Sequence, residues 1–494
     1  MPLVGYPKGL MALNTSKLLN LVGLDFGSTT SSAVFARAPI VKNSVTGRMD
    51  LGTPEIFFKP APIFTPFCGP LLDLKAITAT LDLWFSMAGL SGSEVDAGGA
   101  IVTGLAAAAT NIEQARALVR QKIGTAVIAA ACDPDLESWL AFMGSCQRSS
   151  AAFPEQPMIN FDIGGGTTNI ALGQNTFVSK VGCLWLGARH IQVQPGTYEI
   201  SAMSPYGLKL LDQTRIHKKC GDLLSKDDVR KIMAFYVALL HEMIGGPKMG
   251  PAWCIDRSFD RSFDGHDLDL GLDRNPNHAH KKTAIMFSGG VGELIYQFAK
   301  TNEKLPTTKF GDLGIDLAQA ILDDPLFRAN IDLWQPENMG RATAFGLALH
   351  NTSISGATIY LPDDNLLPLS DMPILAEISV DTAAPELLQL LDRVAKSSHG
   401  ACIRVKAGLT TASLARELGT KIAAAVAEIR LPRSKPVIFL VAENMGKALG
   451  SYASNWGRGE STIIIIDELE SRRASFINIG SVQQGIVPVS YFGM

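Results

Sequence analysis

The sequence predicts an α/β protein built of two duplicated lobes, each a mixed sheet flanked by helices, followed by a smaller C-terminal α/β unit. Three observations predict this. A strand–acid–glycine turn–strand unit occurs twice, as GLDFGSTTSSAVF from Gly23 and NFDIGGGTTNIAL from Asn160. Each copy is followed by alternating strand and helix patterns, which favour a mixed sheet with helices packed on it. Beyond His350 the runs PVIFLV and TIIIID read as buried strands interleaved with helices. The expected boundaries are 1–150, 151–350 and 351–494.

Composition agrees. At 494 residues, 47% hydrophobic and 18% charged, the chain is too long for one core and too apolar for disorder. The net charge of −3 argues against nucleic acid as a partner, because phosphate backbones need a basic face. The seven cysteines include no CxxC pair, which removes support for zinc ribbons, iron–sulfur clusters and thioredoxin chemistry and fits a reducing, intracellular setting. The N-terminus lacks the charged and apolar regions of a signal peptide. No window reaches the ~18 apolar residues of a membrane span.

Taken in order, Leu10, Met11, Leu13, Leu18 and Leu19 are read either as a short docking helix or as a frayed tail. Residues 19–24 form a strand ending at Asp25, and 32–36 form the next. Short extended pieces at 54–58 and 62–64 precede a helix with Leu74, Ile77, Leu81 and Trp84 on one face. Strand 100–103, helix 111–121, strand 126–130 and a helix opened by Pro134 complete the first unit. The plan restarts with strands 159–161, 168–172 and 177–181. Ser225 opens a long helix, with Asp228 placed for a capping box, and strand 284–287 leads into Gly289-Gly290. The third unit holds helices 414–429 and 445–456, with strands in SFINIG and IVPVSYF.

Several motifs fail on inspection. In the polar stretch 251–282, Asp260, Ser262, Asp264 and Gly265 begin like an EF-hand, but the twelfth position is Gly271. The stretch Asp264 to Asp269 resembles a cobalamin-ligand motif but ends in Asp269 where glycine is needed. His278 and His280 read as loop residues, and MGKALG lacks the Ser/Thr and upstream glycine of a P-loop.

The two glycine turns carry the chemistry. A Gly/Thr hairpin turn aims several backbone N–H groups at one point, a nest for phosphate oxygens. Candidate phosphate-binding residues are Gly27, Ser28, Thr29 and Thr30 in the first turn, with Gly164, Gly165, Gly166, Thr167 and Thr168 in the second. The acid before each turn would repel phosphate unless a cation lies between, so Asp25 and Asp162 are the expected anchors of hydrated Mg²⁺, with Thr103 a further candidate. Gly289 and Gly290 would let a flat adenine lie against the backbone, with Glu293 in reach of ribose. Glu137 is either an acid that orients water or a solvated helix residue.

GLDFGSTT, FDIGGGTTN and FSGGVGEL resemble the phosphate-1, phosphate-2 and adenosine motifs of the actin/Hsp70/sugar-kinase superfamily. Helices 133–145 and 340–349 resemble its interdomain connections, with Gly340, Ala342, Ala344 and Gly346 as small faces for a close crossing. Within that superfamily GGAIVTG, LESWLAFMGS, GRATAFGLALHNTSISGATIY and the tail from ENMGKALG to IVPVSYF are similar to the ethanolamine ammonia-lyase reactivating factors. The resemblance implies an actin-like ATPase fold with ATP and Mg²⁺ as cofactors. It also implies the large subunit of ethanolamine ammonia-lyase as partner, ejection of damaged cobalamin so that adenosylcobalamin can bind, and a cytoplasmic place at or within the ethanolamine microcompartment. Leu105 stands where the family usually has Glu after Thr103-Gly104. Asn169 stands where Hsp70 has a second aspartate, which implies slow hydrolysis. The alternatives are a small-molecule kinase on the same fold, which needs an acceptor pocket and a catalytic acid, and a nucleotide-dependent scaffold.

Overall fold

The computed structural model describes residues 10–11, 18–44, 47–69, 71–103, 106, 109–123, 127–129, 134–255, 283–301, 305–469, 472 and 474–493. In the first lobe the strand Leu18–Phe26 pairs antiparallel with Thr30–Asn43 and parallel with Ala97–Val102, which in turn pairs parallel with Val127–Ala129. In the second, Met158–Ile163 pairs antiparallel with Thr168–Gln174 and parallel with Ala284–Ser288, and Phe177–Leu184 closes the far edge. The acid-bearing strand is thus central in both sheets. The registers match as well: Asp25 lies opposite Ser32, and Asp162 opposite Asn169.

Each sheet buries one face on helices. Phe35, Leu81 and Trp84 anchor the first core, and Phe161, Phe287 and Phe327 the second. The helix Leu74–Ala88 starts where the Asp73 carboxylate accepts from the Lys75 and Ala76 N–H groups. The expected Ser225–Asp228 capping box opens Lys226–Met243. A third sheet of seven strands has Leu369–Ile378, Ala401–Val405, Val437–Leu440 and Ile463–Ile466 parallel in succession. Phe476–Ile479, Pro488–Phe492 and Thr352–Ile354 run antiparallel at its other end.

Two helices, Pro134–Ser145 and Ala342–His350, cross between the lobes. Glycine sets their separation: a Cβ at Gly346 would lie 2.2 Å from the Leu140 carbonyl oxygen, and one at Gly144 would lie 1.9 Å from that of Ala342. Gly23, on the central strand of the first lobe, meets the Ala344 carbonyl equally closely. Of the small residues expected at this crossing, Gly340 does something else, since it faces the Glu293 carboxylate. Gly144, which the sequence reading did not single out, takes its place.

The N-terminal reading is also corrected. Leu10–Met11 is extended and pairs with Asn43 and Lys42, and Leu18 and Leu19 open the first strand, so these four are strand and not helix, while Leu13 lies outside the described residues. The second strand runs on to Asn43, past the Arg37 and Pro39 that break its apolar alternation, because it pairs on both edges. Most of the polar stretch, 256–282, and Gly104 and Leu105 lie outside the described residues. Among the described residues no helix is long and apolar enough to cross a membrane.

Candidate functional site

The turn after Asp162 is held from behind. The Gly164 carbonyl accepts from the Ala188 N–H at 3.0 Å and the Gly165 carbonyl from the Arg189 N–H at 2.7 Å. The Gly166 carbonyl accepts from His190 Nε2 at 2.7 Å. In a trans peptide the N–H points opposite to the preceding carbonyl. Three carbonyls drawn to one side therefore turn the Gly165, Gly166 and Thr167 N–H groups to the other, into the cleft. This is a concave set of donors suited to an anion. His190 is buried, and burial pushes its pKa down to about 4, so the ring is neutral. The Gly166 carbonyl can only accept, so the proton of the neutral ring sits on Nε2 and Nδ1 accepts from Ser204 Oγ.

The turn after Asp25 is held by Thr65. Its Oγ1 donates to the Gly27 carbonyl at 2.7 Å and its N–H to the Thr29 carbonyl at 2.9 Å. The two turns touch: a Cβ on Gly165 would lie 2.3 Å from Thr29 Oγ1 and 3.1 Å from Ser28 Cβ. Between and beside them lies a cleft of about 370 Å³, within the range of small-molecule sites.

Every site residue expected from the sequence lines this cleft except one. Asp25, Gly27, Ser28, Thr29, Thr30, Thr103 and Glu137 come from the first lobe and the first crossing helix. Asp162, Gly164, Gly165, Gly166, Thr167, Gly289, Gly290 and Glu293 come from the second lobe. Thr168 is the exception. It is buried, and its hydroxyl donates to the Leu186 carbonyl, because the strand alternation turns it into the hairpin and away from the opening.

Asp162 is buried and Asp25 half-buried, and both line the same cleft. Burial, and then the Asp162 charge, push the Asp25 pKa up to about 7, against a pull from the Thr103 hydroxyl at 3.4 Å. Burial pushes Asp162 up to about 6, opposed by Ser288 Oγ, which donates to Asp162 Oδ1 at 2.5 Å. Ser288 in turn accepts from Asn160 Nδ2. Such a pair takes up a proton or a cation. Among the described residues no group of three His, Cys, Asp or Glu side chains could hold a metal by itself. Two carboxylates with room for water and phosphate oxygens do suit Mg²⁺, which seldom uses an all-protein cage.

At the other end, Gly289 has φ 78° and meets the Ile163 carbonyl, so glycine is needed there for conformation. Gly290 has open space over it, and the nearby walls are Val291, Leu294 and Phe310. The sequence reading missed Ser288, His190, Thr65 and the residues 188–189. Only Ser288 carried a local signal, as the residue before Gly289-Gly290.

Two lobes on one hairpin plan, clasped by crossing helices around a glycine-lined cleft, define an actin-like ATPase fold. The chain belongs to the family of the ethanolamine utilisation protein EutA, whose model matches residues 17–491. A Salmonella typhimurium protein named ethanolamine ammonia-lyase reactivase EutA is 29% identical over 495 residues, covering 97% of this chain and 98% of its own. The Escherichia coli protein of the same name is 27% identical over 493 residues, with the same coverage. Among solved structures, the PPX-GPPA enzyme of Aquifex aeolicus is similar at 14% identity and a TM-score of 0.34, covering 58% of this chain and 73% of that one.

Proposed function

We propose that this chain is an ATP- and Mg²⁺-dependent reactivating chaperone for adenosylcobalamin-dependent ethanolamine ammonia-lyase, which releases damaged cobalamin so that intact adenosylcobalamin can bind. The observation that carries the nucleotide half is the Gly164–Gly166 turn, whose carbonyls are all tied back, which turns the Gly165, Gly166 and Thr167 N–H groups toward the cleft. The client half rests on family membership and on two relatives named ethanolamine ammonia-lyase reactivases.

In this reading Gly27 to Thr30 and Gly164 to Thr167 cradle phosphates, and Gly289, Gly290 and Glu293 receive the nucleoside. Asp25 and Asp162 would hold hydrated Mg²⁺, with Thr103 at its edge, and the bound ion would neutralise phosphate charge between the two carboxylates. Glu137 is the acid placed to orient water. A partner shifts an equilibrium only by its differential affinity for the two states, so release of cobalamin needs a nucleotide-linked change in how the lyase is gripped. The lobes 1–150 and 151–350 supply that change by closing. The third unit, 351–494, can feel it through Phe492, which packs with Leu136, Leu140 and Leu347 of the two crossing helices. The client surface is the large lyase subunit, in the cytoplasm and at the ethanolamine microcompartment.

The test uses lyase loaded with a cobalamin that lacks its adenosyl group. Adding this protein with ATP, Mg²⁺ and free adenosylcobalamin should release the damaged cofactor and restore turnover, and omitting ATP should prevent both. If neither occurs and a small metabolite is phosphorylated instead, the protein is a kinase.

A further inference from the structure

A second hollow, also of about 370 Å³, opens beside the nucleoside end of the cleft and shares Glu293, Gln297 and Gly340 with it. Its charged walls come from both sides of the molecule. Lys59 follows the first-lobe strand Glu55–Phe58 and lies 5.8 Å from the ring of Phe345. Lys300 stands in the last turn of the helix Gly289–Thr301, and Arg341 immediately precedes the helix Ala342–His350. Three cations thus border the hollow with one carboxylate, Glu293.

Two of these cations have local reasons to be there. Lys300 sits at the negative end of its helix, and Lys59 rests over an aromatic ring. Arg341 has neither. Its guanidinium is half-buried, and burial draws its proton affinity down with only Glu293 opposing. Among the described residues none of the three cations has a carboxylate within ion-pairing distance. A partly desolvated guanidinium normally has an anionic partner. Planar guanidinium and mobile ammonium groups converging on one space suit a phosphate, with its several acceptor oxygens.

We infer that this hollow is a second anion site, which takes a phosphate group at the nucleoside end of the cleft between cations contributed by both lobes. Lys59 on one side and Lys300 and Arg341 on the other repel across the open hollow, and a bound phosphate converts that repulsion into a bridge. The phosphate either is carried on the ribose of the bound nucleotide or arrives as a free anion. The first source rests on the nucleotide reading proposed above; the second does not.

Calorimetric titration of the full chain separates the two sources. With adenosine 3′,5′-bisphosphate against AMP, the bisphosphate should bind about tenfold more tightly, and Lys300→Glu should erase that difference while leaving AMP unchanged. Lys300 is exposed, so this variant should keep its circular dichroism and melting midpoint. Lys59→Ala, also at an exposed position, is the matching change on the first lobe. If the bisphosphate shows no preference but inorganic phosphate binds the ADP-saturated protein, and Lys300→Glu abolishes that binding, the site takes a free anion. If no nucleotide binds at all, the nucleotide reading fails, and inorganic phosphate binding sensitive to Lys300→Glu still establishes the hollow. Absence of both the bisphosphate preference and any Lys300-dependent phosphate binding would overturn it.

Discussion

In the second lobe the Asp162 carboxylate takes a 2.5 Å hydrogen bond from Ser288, and all three glycine carbonyls of its turn are tied to residues 188–190. In the first lobe Asp25 has the Thr103 hydroxyl at 3.4 Å, and Thr65 holds its turn through the Gly27 and Thr29 carbonyls. The hairpins share a register and the acids share a position, so the difference lies in what supports them. One turn is a preformed cradle whose acid is oriented before any ligand arrives. The other keeps a carboxylate that, like Asp162, is pushed above the ordinary range, but its side-chain partner is the longer contact to Thr103, so it depends more on what enters the cleft. Duplication of a motif therefore did not duplicate its role, and substitutions in the two lobes should have unequal consequences.

The largest effect is expected at the better-supported acid. Asp162→Ala should abolish Mg²⁺-dependent ATP binding and turnover, a loss beyond the about 100-fold that removal of a supporting partner costs. Isothermal titration with and without Mg²⁺ measures it, and unchanged affinity would break the shared-clamp reading. Next comes the point where the turns meet. In Gly165→Val the new side chain meets Thr29 Oγ1 at 2.3 Å and Ser28 Cβ at 3.1 Å on the opposite turn, closer than Arg189 Cβ of its own lobe at 3.2 Å. The lobes should be held apart, lowering nucleotide affinity about tenfold or more while the melting midpoint stays close to that of the parent. Collapse of the fold would show instead that the glycine serves packing within its own lobe.

What the sequence disclosed follows the range over which its signals act. The acid–glycine–threonine turns, the capping box at Ser225 and the apolar face from Leu74 to Trp84 are local patterns, and the structure holds each of them. The crossing helices were legible from small residues, but which glycine does the work was not. Gly144 and Gly340 differ only in what lies opposite, the Ala342 carbonyl for one and the Glu293 side chain for the other. His190 was invisible for the same reason. Nothing in its neighbourhood marks it as the donor to a carbonyl 24 positions upstream, since that contact exists only once the chain has folded back. Thr168 erred the other way: it belongs to the motif by sequence, but strand alternation points its hydroxyl at Leu186. The 256–282 stretch lies outside the described residues, so the reading of it as a surface loop stands as an expectation.

The smallest and most discriminating effect concerns the looser acid. Asp25 is raised from an ordinary 3.8 to about 7 by desolvation in the cleft and by the Asp162 charge. A carboxyl whose folded pKa lies above its unfolded value keeps its proton in the native state while the unfolded chain has lost it. Native stability therefore falls as pH rises from about 4 to about 7 and is flat above, the reverse of a salt-bridged carboxylate. Asp25→Asn keeps the shape and the contact to Thr103 but carries no charge. Without ligand the variant should melt higher than the parent at pH 8, where each kcal/mol is worth about 2–4 °C in domains of this size. The advantage should shrink on acidification and vanish below about pH 3, where Asp25 is protonated in both states. The same variant should bind ATP more weakly in the presence of Mg²⁺, because the neutral amide relieves the repulsion that a cation would otherwise neutralise. A parallel Asp162→Asn should gain less at pH 8, since Ser288 already stabilises that carboxylate. Melting curves at several pH values decide the matter. Equal gains from both substitutions would mean that the two turns are equivalent after all, and a loss at pH 8 from Asp25→Asn would mean that its carboxylate is already compensated in the empty cleft.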